Sequence, residues 1–438
     1  MPETLSPTEF TSASLARFIE SRQEPAWVTE RRQAAWDAFE SLGWPQRNEE
    51  EWIRTDIRLF KLDAFQPPVS TPSLDEVSFS GTLAQGVALA GNTVARDGIS
   101  VAATLTSRWT EQGVVFGSLD HLVHSHGDLI QKYMLVRAVD PQFDRFSALH
   151  AAFWSGGTFL YVPRGVVIDE PLHILASLAD KAVDMGHVLI VLEEGAEATV
   201  LTEMVSDGES AGGLHCGAVE LFVGPHARLR YVGLQDWGKN VWHFGHEKAL
   251  VGRDATLQWT IGALGSKLSK VNQHVALVGT GAESQVNGTM FTEDRQHLSY
   301  HTLQHHEAPH CRSDFLYKAA LQDKSRTVWR GMIKVDPDAQ KTDGYQRNDN
   351  LLLSNQARAD SIPGLEIEAD DVRCTHGSTT GKVDEELIFY AQSRGFTRQE
   401  AIRMVVTGFF QQIFDRITIE SVRDALGNAI ARRVREYE

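Results

Sequence analysis

Apolar spacing divides the chain into three zones. Up to about residue 65 the period is helical. Leu15, Phe18 and Ile19 share one face over 14–21. Ala35, Trp36, Phe39 and Leu42 share another over 25–42, which Gly43-Trp44-Pro45 ends. Phe65-Gln-Pro-Pro-Val-Ser-Thr-Pro72 has linker composition. From about 150 to 370 the helical period gives way to short β-rich runs punctuated by Gly and Asp, such as Thr158-Phe-Leu-Tyr-Val162 and Ala218-Val-Glu-Leu-Phe-Val223. Amphipathic helices are scarce there, which argues against βαβ units. Beyond residue 380 helices return. Asp384 is placed to cap one, and Thr397-Arg-Gln-Glu400 is a capping box for the next. The expected organisation is an N-terminal helical region (1–65), a linker leading into the core (66–150), a β core (151–378) and a C-terminal helical domain (379–438).

A weak repeat runs through the β zone: strand, tight turn with Gly, then an Ala that starts the next strand. It reads Leu192-Glu-Glu-Gly-Ala196, Val223-Gly-Pro-His-Ala227, Val251-Gly-Arg-Asp-Ala255 and Val278-Gly-Thr-Gly-Ala282, with the alanines 31, 28 and 27 residues apart. Val335-Asp-Pro-Asp-Ala339 stands 57 residues further on, about two more units. Repeats of this length indicate solenoids, because each unit buries its apolar face only against the next. The fold class expected is mainly β, a right-handed parallel β-helix flanked by helical ends. A β-sandwich or a cupin-like barrel is the rival.

The chain has 438 residues and a net charge of −16, against the basic footprint of nucleic-acid binders and against an anionic membrane surface. No apolar run is long enough to cross a membrane, and the first thirty residues lack an apolar signal segment. Three cysteines, Cys216, Cys311 and Cys374, are too few for a disulfide framework and fit a reducing cytoplasm. There is no Gly-x-x-x-x-Gly-Lys-Ser/Thr, no complete dinucleotide fingerprint and no Gly-x-Ser-x-Gly. An independent enzyme is therefore not expected.

Candidate chemistry is confined to a few places. His297, His301, His305, His306, His310 and Cys311 are the densest set of metal-capable side chains, and polar strand and turn positions explain them as well. His124-Ser-His126 lacks the acidic partner of a cupin metal motif, and Cys216 reads as a core thiol. Cys374 and His376 sit two apart in a Gly/Ser/Thr-rich run. A closed metal site usually needs four ligands, so this pair would need others from elsewhere in the chain or from a partner. The bland alternative is a buried thiol and a capping histidine.

The residues around that pair carry a resemblance. Cys374-Thr-His-Gly-Ser-Thr-Thr-Gly381, then Asp384-Glu-Glu386, Phe389-Tyr390 and Ser393-Arg-Gly395, resemble the SufB/SufD family of iron–sulfur cluster assembly proteins. Ala339-Gln-Lys-Thr-Asp-Gly-Tyr-Gln-Arg-Asn-Asp-Asn-Leu-Leu-Leu-Ser354, Leu365-Glu-Ile-Glu-Ala-Asp-Asp-Val-Arg373 and Arg47-Asn-Glu-Glu-Glu-Trp52 match as well. SufB proteins tend to carry an acidic residue after the histidine; Gly377 stands there, which favours the SufD branch.

The resemblance implies a β-helix between helical ends and pairing with SufB. It places His376 opposite a SufB cysteine where a nascent cluster forms, with Cys374 beside it in an open role. It implies that the ATPase SufC grips the C-terminal helices and that ATP is hydrolysed there. The apolar stripe Phe409, Ile413, Ile419, Val422, Leu426 and Ile430 is the expected contact surface. A reduced flavin is associated with such complexes, but no flavin site is assigned to this chain, and no cofactor is expected to be tightly bound to it alone. A homodimer of the isolated chain stays open. The rivals are a His-rich cupin-like metalloenzyme and a β-helix carbohydrate-active enzyme.

Overall fold

A computed structural model describes residues 9–68 and 81–435. Its centre is two ten-stranded sheets. From Gly186–Leu192 onward successive strands alternate between the sheets, and each pairs in parallel with the strand two positions later. The result is a parallel β-solenoid of about eight turns. The parallel register excludes a closed antiparallel barrel. Among the described residues antiparallel pairs occur only at the beginning, where Gly91–Arg96 meets Ile99–Leu105 and Val115–Ser118 meets Gly156–Val162.

The repeat has a direct physical cause. Leu192, Val223, Val251 and Leu277 stack in register as one buried column of the axial core. Ala196, Ala227, Ala255 and Ala282 form the next column. Each carbonyl accepts an N–H from the following coil, as in Arg228 N to Ala196 O and Thr256 N to Ala227 O, both 2.9 Å. Between the columns one residue per turn is left-handed: Gly195, His226, Asp254, Gly281, His310 and Lys341. Its N–H donates to the turn of the next coil, for example His226 to Arg253 O at 2.8 Å. Gly, Asp, His and Lys all serve this position, so the repeat looks weak in sequence. At Gly279 a Cβ would lie 2.1 Å from Arg253 N, so the turns stack too closely for any side chain there.

The sequence spacing skips one coil and misplaces the next. Cys311 occupies the alanine column after Ala282, with Arg312 N donating to Ala282 O. Ala339 closes a similar turn, its N–H donating to Asp336 O, but Thr342 takes the column position, three residues later.

The axis of the middle coils is mostly Val, Leu, Ala and aromatic, with polar interruptions. Glu247 and Gln273 are register neighbours, 3.4 Å apart, and Tyr317 O–H donates to Gln273. Glu247 faces a small cavity of about 50 Å³ shared with His215 and His243. Burial pushes its carboxyl up to about 8.

Helices cover both outer faces. Ser12–Arg22, Ala26–Ser41 and Arg145–Phe153 lie over one sheet, where Phe146 stacks on Phe244 at 3.7 Å and Phe60 packs against Trp242. The Arg47–Trp52 motif docks on the same face. Trp52 is buried, and Glu51 takes a hydrogen bond from His301 at 2.6 Å and pairs with Arg330. Arg398–Phe414 and Glu420–Arg433 cover the other sheet. Ile402, Val406, Phe410 and Leu426 pack there on Leu201, Val232, Leu234 and Phe291.

Candidate functional site at the open end of the solenoid

The two sheets end in Arg358–Ile367 and Arg373–Lys382, and among the described residues nothing pairs with the outer edge of either. Register fixes which side chains face the axis. Gln346, Asn348 and Asn350 continue the columns of Phe315, Tyr317 and Ala319, and His376, Ser378 and Thr380 come next. Across the axis the last strand aligns Ser361, Pro363, Leu365 and Ile367 behind Trp329, Gly331, Ile333 and Val335. The hydroxyls of Ser378 and Ser361 meet across this opening at 2.8 Å. Leu365 and Ile367 face inward yet are 38% and 40% exposed, since no further coil covers them. Solenoids need polar caps on their terminal coils, and among the described residues none covers this end.

Cys374 and His376 lie on the terminal strand with the parity that faces the axis. The Cys374 thiol is half-buried against Ile333, Val335 and Ala339, and burial pushes it up from its ordinary range. His376 is exposed. The structure therefore brings the pair together at the solenoid mouth. Among the described residues, no group of three or more His, Cys, Asp and Glu side chains is arranged to hold a metal ion. A closed metal site would need further ligands beside this pair.

The other candidates fall elsewhere. His297, His301, His305 and His306 share one strand, His297–His306, but they are held by different neighbours. His301 bonds Glu51, His305 bonds Asp336 at 2.9 Å, and His306 bonds Ser313 at 2.8 Å. Burial lowers His301 to about 2 and His306 to about 4, so both are neutral at pH 7. His124 is on the short helix Leu119–Ser125, with His126 as its C-cap, away from the mouth. Cys216 is fully buried.

The helical stripe expected to receive a partner is turned inward. Ile413, Val422, Leu426 and Ile430 are buried, and Phe409 and Ile419 pack partly buried on the same cluster. The helices lie flat on an apolar outer sheet face, and that face takes the stripe. Exposed apolar surface sits instead on the preceding helix, Glu385–Ser393, where Leu387 is 53%, Phe389 73% and Tyr390 58% exposed. Phe396 and Met404 extend it. The sequence reading also missed the inner amide row Gln346–Asn348–Asn350. Its signal was present: Gly344-Tyr-Gln-Arg-Asn-Asp-Asn350 keeps strand length without the apolar alternation of its neighbours.

Comparison with known proteins fits this architecture. The SufBD core domain of the SUF iron–sulfur cluster assembly system matches residues 174–409, and the SufBD N-terminal region matches 14–174. The chain belongs to the SufBD family. An iron–sulfur cluster assembly SufBD family protein of Mycobacterium leprae is 36% identical over 296 residues, covering 66% of this chain and 74% of that protein. One from Mycobacterium tuberculosis is 35% identical over 311 residues, covering 67% and 77%. One from Staphylococcus saprophyticus is 30% identical over 315 residues, covering 71% and 67%. This SufBD chain is thus an iron–sulfur cluster assembly protein built on a β-solenoid.

Proposed function

We propose that this SufBD protein is the SufD-type, non-catalytic subunit of a cytoplasmic SufB–SufC–SufD scaffold. The observation that carries this reading is the uncapped solenoid mouth, where two free sheet edges, exposed Leu365 and Ile367, and the Cys374/His376 pair coincide. Free edges and an open apolar end favour a partner that continues both sheets. A SufB chain with a matching end would close the mouth and exclude water. It would also complete the ligand set for a nascent cluster, the cargo of assembly, with His376 as this chain's donor and Cys374 beside it. Gly377, in place of an acidic residue, supports the SufD branch.

SufC hydrolyses ATP in this reading and docks on the C-terminal helices. The surface available to it is Leu387, Phe389, Tyr390, Phe396 and Met404, since the later stripe is already covered. Interface hot spots of this kind are aromatic and aliphatic anchors. Among the described residues no helix is long and apolar enough to cross a membrane.

The test is co-expression with SufB and SufC. Ile367→Asp places a charge at the mouth, outside the packed core. It is expected to abolish co-purification of SufB while SufC remains bound. Retention of SufB would move the pairing surface elsewhere.

A further inference from the structure

Beneath the C-terminal helices one register column of the outer sheet face runs Thr289, Lys318, Asp349, Thr379. Lys318 and Asp349 are buried there, 7% and 3% exposed. Lys318 Nζ donates to the carbonyl of Phe409 at 2.9 Å, inside the helix Arg398–Phe414, and lies 4.9 Å from the centre of the Phe409 ring. The same ammonium is 3.8 Å from Asp349 Oδ2. Asp349 Oδ1 in turn accepts from Thr379 Oγ1 at 2.6 Å and from Arg347 Nε at 3.0 Å. Thr379 is on the terminal strand, three residues after His376 and on its opposite face. A continuous polar chain therefore joins a helix backbone to the strand at the solenoid mouth.

Covering a sheet does not require this arrangement. Around it the helices use Ile402, Val406 and Phe410 on Leu234 and Phe291. A buried ion pair brings a desolvation penalty that an apolar pair avoids, and burial already lowers the Lys318 ammonium from its ordinary range. What the pair adds is direction. Lys318 divides its donors between Phe409 O and Asp349, and Asp349 divides its acceptors between Lys318, Arg347 and Thr379. If the helix moves away, Lys318 loses the carbonyl and settles on Asp349. It then competes for the oxygen that holds Thr379. Two discrete hydrogen-bond patterns, one for each helix position, are the kind of element through which coupling travels.

We propose that Lys318 and Asp349 are positioning residues that transmit displacement of the C-terminal helix to the strand bearing Cys374 and His376. The inference rests on the reading above, in which an ATPase moves those helices and the mouth is where the cluster forms.

The test uses the complete complex with both partners. Cys374 is the reporter, because Cys216 and Cys311 are buried. The alkylation rate of the Cys374 peptide is measured by mass spectrometry with and without ATP, alongside ATP hydrolysis and melting temperature. In the wild type ATP should change the rate by about fivefold, the low end of a typical coupling. Asp349→Asn and Thr379→Val should bring that ratio close to one with ATP hydrolysis unchanged, and Lys318→Arg should retain it. Thr379 is exposed, so Thr379→Val keeps the test alive if Asp349→Asn fails to fold. A merely structural pair predicts a lower melting temperature with the ratio intact; a wild-type ratio in Thr379→Val would overturn the proposal. If the wild-type complex hydrolyses ATP with no change at Cys374, the functional reading itself fails and the link has nothing to transmit.

Discussion

The middle coils and the last coil of this solenoid use the same backbone and opposite chemistry. In the middle, Val223, Val251 and Leu277 stack in a sealed column, and helices cover both outer faces. At the mouth the inner positions are His376, Ser378 and Thr380 against Ser361 and Pro363, and inward-facing Leu365 and Ile367 meet solvent. Stability resides where neighbours on both sides complete each coil. The proposed function is placed where one neighbour is missing, because there another chain could supply the next coil.

The sharpest way to break this comparison is to introduce the same charge in both places. Val223→Asp would place an unpaired carboxylate in the axial core and should cost about 4 kcal/mol or more of folding stability. Leu277→Asp should do the same. Ile367→Asp, at the same register position in the last coil, should cost under about 0.5 kcal/mol because its side chain already meets water. Denaturant titration of the three variants checks the contrast. Equal losses at Val223 and Ile367 would mean that the mouth is closed in the isolated chain.

Glu247 sharpens the comparison from inside the middle coils. Its carboxyl is held up to about 8 in the folded chain, against about 4.5 when unfolded. The folded state therefore binds the extra proton between these values. Its stability falls as pH rises from about 4.5 and the loss is complete near 8. Glu247→Gln removes that proton requirement while keeping a partner for Gln273. Relative to the wild type, the variant should gain on the order of 2 kcal/mol between pH 5 and pH 7. Parallel stability curves for the two proteins would show that Glu247 is solvated.

Much of the middle was legible in sequence, for a physical reason. Every coil must meet the same packing demand, so apolar strands and small turn residues recur, and even an imperfect count from Ala196 to Ala282 exposes the period. Cys311 and Thr342 broke the count because the column asks only for a small buried side chain, which Ala does not monopolise. The end was less legible. Spacing shows that Cys374, His376 and Ser378 share a strand face, not that no coil follows them. The C-terminal stripe is ambiguous in sequence for a related reason. The spacing of Ile413, Val422, Leu426 and Ile430 shows that something covers them. It cannot distinguish a partner from the chain's own outer sheet, and the sheet claims them. That also changes what a truncation would do. Deleting the chain from Thr397 would strip cover from Leu201, Val232, Leu234 and Phe291, so lost binding could not be separated from damaged folding.

At the mouth, His376→Ala removes an exposed side chain with no packing role. Its melting temperature should match the wild type, and its cost should stay within about 0.5 kcal/mol. Cluster formation by the complex with SufB and SufC should nevertheless fall, measured by anaerobic iron and sulfide content. Cys374→Ser, which loses contacts with Ile333 and Val335, should cost slightly more stability and less assembly. A normal rate of assembly in His376→Ala would remove this chain from the cluster's ligand set.

The smallest effect on the fold is expected on the helix Glu385–Ser393, where only Ile388 is buried. Leu387→Ser and Phe389→Ser together change two side chains that already face water. They should therefore leave stability within about 0.5 kcal/mol. Asp384 still caps the helix by accepting from Glu386 N at 2.8 Å, so the backbone that presents the patch is preserved. Loss of two apolar anchors should still weaken SufC binding by about tenfold or more, roughly 1.4–3 kcal/mol, in a titration with purified SufC. The comparison makes this pair more informative than any deletion. In the middle of the molecule apolar side chains cannot be changed without unfolding it, whereas exposed apolar side chains on a well-capped helix can be changed one function at a time. Unaltered affinity would leave the patch without a role in ATPase docking and shift that contact to another face of the C-terminal helices.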